Sequence, residues 1–249
     1  MLRRRPGRDA VFATALCGAL AAYNNLVGRQ PWHKTWYPVT NLGATGAVLA
    51  AAAASGLTAT DLGLRHDKLL GGLQAGFRPA ATLAAGWLVL AAVPATRPAL
   101  ADKRITGLTW REVAYQITIR IPVGTVLWEE AAFRGALQAS LRRVMPGPAA
   151  IAVTSGVFGV WHIRPTIDAL RINQVAASRR AALGSVTAAL AGSAAAGVLL
   201  SWLRERSGSL AAPVLLHLTA NCGAALAARS VASSWPSSGR RVTITGTGK

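Results

Sequence analysis

Acidic residues are scarce in this chain: nine Asp and Glu stand against 27 Lys and Arg, for a net charge of +18. Charged residues of either sign make up 14% of its 249 residues, well under the roughly 25% of a soluble domain, and that deficit points to a lipid-embedded protein. Cysteines are as rare. Cys17 and Cys222 are the only two and have no CxxC spacing, which excludes a thiolate metal site and a disulfide framework. Both lie in apolar stretches and read as small buried hydrophobes. The excess of base does not indicate nucleic acid, because no basic face is interleaved with base-contacting side chains. Its arginines instead cluster at the ends of apolar runs, as in Arg3-Arg4-Arg5, Arg142-Arg143, Arg179-Arg180 and Arg240-Arg241, where loops meet anionic headgroups. Membrane lipids are the expected partners and nucleic acid is not among them.

What the chain has is apolar length. Hydrophobic residues are 52% of it and the mean hydropathy is +0.35, and 249 residues suffice for six to eight spans of about 20 residues each. The basic start runs into apolar sequence with no clean cleavage signal. It reads as a retained first transmembrane helix over 10–27, with the N-terminus cytoplasmic. A second span is expected over 39–59, rich in Ala and Gly and so suited to close packing. A short amphipathic helix over 69–77 is expected to lie at the surface, followed by a span over 79–95. A long helical stretch over 112–144 should kink at Pro122, which lacks a backbone N–H and frees carbonyls. Arg111 and Arg120 beside it read as snorkelling to headgroups. Further spans are expected over 149–163, 185–203 and 210–228, with a polar connection over 164–180. The fold expected is thus all-α: a polytopic transmembrane helical bundle of about seven spans plus one short amphipathic helix. It divides into N-terminal helices over 1–60, a second bundle over 61–228, and a basic, disordered tail over 229–249.

Two of the four glutamates, Glu129 and Glu130, are adjacent and follow an apolar run broken only by Arg120. A carboxylate at membrane depth costs roughly 2.5 to 3.5 kcal/mol even on mild scales, so it marks function by default. Glu130 and Arg134 are four apart and share a helix face, while Glu129 is turned about 100° away. One carboxylate can therefore be structural and the other face a cavity. His162 ends the fifth span after Phe158, and His217 and Asn221 lie one turn apart on the last. Taken singly, each has a structural explanation: a hydrogen-bonded core histidine, a neutralised helix, an asparagine joining helices. Together they do not, because a bundle so poor in acids has no packing need for a second, unpaired glutamate. The set suits peptide hydrolysis, with a carboxylate taking a proton from water and His and Asn donors at the oxyanion. Glu plus two His also suits three ligands on a metal with an open water position.

No His-Glu-x-x-His, Gly-x-Ser-Gly or Gly-x-Gly-Asp motif is present. The motifs that are present, Glu129-Glu130-Ala-Ala-Phe-Arg134, Phe158-Gly-Val-Trp-His162 and His217-Leu-Thr-Ala-Asn221, resemble those of the CPBP family, the CAAX-protease and bacteriocin-processing intramembrane peptidases. The segments Asp61-Leu62-Gly63-Leu64 and Ser207-Gly208-Ser209-Leu210 are similar to that family as well, so the resemblance extends over about 61–221. It implies that Glu129 activates water with help from His162, that His217 and Asn221 stabilise the oxyanion, and that Glu130, Arg134 and Phe158 support the site. It also implies that any metal would be Zn2+ held by Glu129, His162 and His217; the family's chemistry is argued both with and without a metal.

The function expected is an intramembrane endopeptidase acting on a protein or peptide substrate near the membrane face. A non-catalytic scaffold or immunity-type protein that keeps the fold is the alternative, with a proton-coupled transporter a more distant rival.

Overall fold

A computed structural model describes residues 6–175 and 178–232, and every regular element within them is helical. The order is α1 Pro6–Ala22, α2 Pro31–Thr35, α3 Tyr37–Ala54, α4 Ala59–Leu62, α5 Leu69–Ala92, α6 Arg97–Leu100, α7 Lys103–Thr106, α8 Trp110–Tyr115, α9 Gln138–Leu141, α10 Gly147–Trp161, α11 Ile163–Asn173, α12 Arg179–Ser207 and α13 Ala211–Ala232. Between α8 and α9 the chain stays helical without a break, so 110–141 form one column, the glutamate helix. The all-α expectation holds. Among the described residues four stretches are long and apolar enough to cross a membrane, Gly7–Val27, Ala59–Ala92, Arg179–Ser207 and Ala211–Ala232, which does not confirm a count of about seven. Helix α10 has 15 residues, short of the ~20 that a bilayer needs, and the glutamate helix is interrupted by charge. The expected disordered tail lies, from 233 onward, outside the described residues, and α13 runs on to Ala232.

Two expectations about local structure are corrected. The amphipathic helix and the span after it are one helix, α5, which passes through Pro79. Leu70 is 68% exposed and Phe77 65%, while Gly72, Gly76 and Ala80 are buried. The large apolar side chains thus face outward, and the helix is not a surface element with one wet face. In an apolar medium the chain has no water to satisfy a broken turn, so it keeps the helix across a missing N–H. The polar connection likewise folds as α11, where Arg164 and Asp168 pair one turn apart at 2.9 Å. Arg120 does not snorkel: its guanidinium lies 4.2 Å from the centre of the Tyr37 ring.

The glutamate helix is the axis of the bundle, buried without interruption from Trp128 to Leu141, as befits a helix surrounded on all sides. Helices α1, α3 and α10 cover it. Close approach by small residues brings the rest together. A Cβ on Gly159 of α10 would stand 2.8 Å from the Leu190 carbonyl oxygen of α12, so those backbones meet only because the residue is glycine. Within 191–197, Ala194 and Gly197 meet α10 at Gly159 and Ser155 and serve this packing. At one end of the bundle Arg143 reaches Asp61 at 2.8 Å and Asp9, in the first turn of α1, at 3.3 Å. Nearby, the Leu210 N–H donates to the Gly63 carbonyl at 2.9 Å. Gly63 has φ +73°, a left-handed conformation that favours glycine, and the Arg204 guanidinium packs against its open face.

Candidate active site

The glutamate helix is wound wide over Gln116–Arg120, Pro122–Leu127 and Glu130–Leu137, with hydrogen bonds reaching five residues back, a winding frequent at functional sites. Pro122 supplies no N–H, which in a five-back register leaves the Ile117 carbonyl open. The Cys222 thiol donates to that carbonyl at 3.6 Å, so this cysteine does more than fill space. The wide turns deliver Glu129 and Glu130 to different surroundings.

Glu130 is fully buried and doubly partnered. Its Oε1 accepts from Arg134 Nη1 at 3.1 Å and from His217 Nδ1 at 2.8 Å. Arg134 is itself buried, with its guanidinium 4.0 Å from the centre of the Phe158 ring and Nη2 donating to the Gly197 carbonyl at 3.5 Å. Glu129, 6% exposed, has one oxygen engaged. Its Oε1 accepts from Trp161 Nε1 at 3.1 Å. Its Oε2 has no hydrogen-bond partner among the described residues, and His217 Nε2 lies 3.8 Å from it.

Five of the expected site residues, Glu129, Glu130, Arg134, Phe158 and His217, thus form one connected cluster. His162 stands apart from Glu129. Its Nδ1 pairs with the Phe158 carbonyl at 2.8 Å; a carbonyl only accepts, so Nδ1 carries the proton and Nε2 the lone pair. Its ring packs 4.5 Å from that of Phe158, which links it to the cluster through packing. Asn221 follows His217 by one turn of α13 and makes no side-chain hydrogen bond among the described residues.

Residues 111–223 match the family model described as type II CAAX prenyl endopeptidase Rce1-like. Over these residues the chain is similar to that Rce1-like family. All three motifs that carry the resemblance to CPBP and CAAX proteases fall within the match, which covers less than half of the chain. The N-terminal helices and the Asp61-Leu62-Gly63-Leu64 segment lie outside it. No curated protein and no solved structure matches the chain. The matched family is one of proteases, and among the described residues four helices are long and apolar enough to cross a membrane.

Trp161 is the residue of the Rce1-like segment that sequence reasoning missed. A signal was present, since a half-buried tryptophan at a helix end needs an acceptor for its indole N–H. The metal set implied by the resemblance does not fit this arrangement. Among the described residues no three His, Cys, Asp or Glu side chains converge to hold an ion. Glu129 and His217 Nε2 face each other, while His217 Nδ1 is committed to Glu130 and His162 to the end of its own helix.

Proposed function

We propose that this protein is an intramembrane endopeptidase in which Glu129 activates water to hydrolyse a peptide bond of a protein or peptide substrate near the membrane face. The unlike surroundings of two adjacent carboxylates carry the reading. Glu130 is neutralised by Arg134 and tied to His217, whereas Glu129 keeps one oxygen unengaged. Environments that push paired carboxyl groups into different roles separate structural from reactive acids.

In this scheme Trp161 holds Oε1 and aims Oε2. Glu129 Oε2 takes a proton from water as its oxygen attacks the substrate carbonyl, and His162 Nε2, bearing the lone pair, accepts the water's second O–H as a hydrogen bond. Glu130 orients His217 through Nδ1. With Nδ1–H held by Glu130, His217 serves as an oxyanion donor in its doubly protonated form. Its Nε2–H and the Asn221 amide one turn on then donate to the oxyanion. Collapse of the tetrahedral intermediate breaks the C–N bond, and the proton held by Glu129 passes to the leaving amine. No step is routed through an ion.

The test compares membrane-protein termini in wild-type and Glu129→Gln cells by terminal-peptide mass spectrometry. Termini lost only in the variant establish proteolysis and name the substrate. Identical termini, with the variant folded and expressed, refute the reading.

A further inference from the structure

The helices that precede the family match touch the site segment at several points, among them the Tyr37 hydroxyl 3.1 Å from Thr125 Oγ1, and at two of these points an asparagine amide donates to a backbone carbonyl. The chain winds wide over Tyr23–Val27 after α1. The Tyr23 hydroxyl donates to Asn41 Oδ1, and the Asn41 amide donates to the Gly124 carbonyl of the glutamate helix. Asn41 is 2% exposed, and His33 Nε2 lies 3.2 Å from the same Oδ1. The Tyr23 ring packs 5.1 Å from Trp128, the residue before Glu129. Asn24 turns the other way: its Nδ2 donates to the Trp161 carbonyl at 2.9 Å, at the end of α10 just before His162.

The Trp161 carbonyl needs its donor, and the Asn41 amide needs its acceptor. Trp161 O is among the last four carbonyls of α10, which have no partner within the helix. The Asn41 amide is buried, and without Gly124 O it would be left open in an apolar interior, which is costly. One asparagine therefore pins the backbone ahead of Glu129, and the other pins the backbone between Trp161 and His162.

We infer that Asn41 and Asn24 are positioning residues that hold the Glu129 and His162 halves of the site in register, which makes the unmatched N-terminal helices part of the working enzyme. The kinetic consequence rests on the protease reading; the mechanical one does not.

The experiment measures peptide-resolved hydrogen–deuterium exchange on the full chain in detergent for wild type, Asn41→Leu and Asn24→Leu, with the Ala variants repeated in case the leucines do not fit. The expected pattern is crossed. Asn41→Leu speeds exchange over 121–130 roughly tenfold and leaves 159–166 unchanged, and Asn24→Leu does the reverse. Both segments loosening together in either variant, or neither moving, overturns the inference. With a cleavable substrate, kcat falls in both variants while KM holds; turnover equal to wild type in both also overturns it. If wild type cleaves nothing, the protease reading fails and the exchange pattern still decides the positioning.

Discussion

Glu130 and Glu129 differ by one residue in position and by their whole electrostatic setting, so the same substitution at each should have opposite effects. Glu130→Gln leaves the buried Arg134 guanidinium without its counter-ion, and breaking a buried pair from one side costs about 3–5 kcal/mol. Thermal unfolding in detergent should show a large drop in Tm. Glu129→Gln keeps an amide oxygen for Trp161 and removes only the base, so its Tm should stay near wild type while turnover falls by about 10²–10⁴. Trp161→Phe separates aiming from chemistry. It keeps an aromatic ring against Phe133 and Trp128 but loses the donor to a carboxylate. A hydrogen bond to a charged group is worth about 1.5–3 kcal/mol, so kcat should fall about ten- to a hundredfold with KM little changed; kinetics on the folded variant decide it. Spacing made the Glu130–Arg134 pair legible, because i and i+4 share a face. It could not make the Trp161–Glu129 contact legible, since that depends on how two helices meet. His162 shows the same limit. Its four-residue offset from Phe158 places Nδ1 under one of the open carbonyls at the end of α10, and that local acceptor takes the proton-bearing nitrogen.

Among the elements, sequence pattern foretold helices well and their ends poorly. Pro79 suggested a boundary that α5 ignores, and the charges of 164–180 suggested only a polar connection where Arg164 and Asp168 pair along α11. In both places the intuition came from water, where a broken turn or an isolated charge is easily solvated. The short helix α2, Pro31–Thr35, was not foreseen at all, although it carries His33 into the contact with Asn41. Burial pushes the His33 imidazole below its ordinary range, and the nearby Arg120 adds to this against the opposing pull of the Asn41 hydrogen bond. Tyr23, Tyr37 and Arg120 face it, with Lys34 beside it on α2. The folded protein therefore prefers His33 neutral. Its contribution to stability is complete above the unfolded value of about 6.5 and is lost as pH falls below that toward the lowered folded value. A Tm-against-pH profile should decline more steeply below about pH 6.5 in wild type than in His33→Gln. Parallel profiles would show that His33 titrates without consequence.

For the molecule as a whole, the distribution of side-chain size argues for lipid as the solvent. In α5 the residues turned inward are Gly72, Gly76 and Ala80, with Gly76 so close to α13 that a Cβ would lie 2.7 Å from the Ala212 carbonyl oxygen. The residues turned outward include Leu70, Phe77 and Leu88, the last 73% exposed. A water-soluble bundle would bury the leucines and phenylalanine, because removing them from water drives its folding. In a bilayer that drive vanishes between helices, and small residues at the contact let backbones approach instead. The consequence is a reversal of the usual mutational logic. Phe77→Ala removes a large apolar side chain that touches only lipid and should leave Tm in detergent unchanged. Phe77→Arg sets a second arginine beside Arg78 on the lipid-facing side of α5, at up to about 2.5–3.5 kcal/mol on insertion scales, and should reduce the protein recovered from the membrane fraction. If Phe77→Ala destabilises the fold while Phe77→Arg accumulates normally in the membrane, α5 does not present this face to lipid.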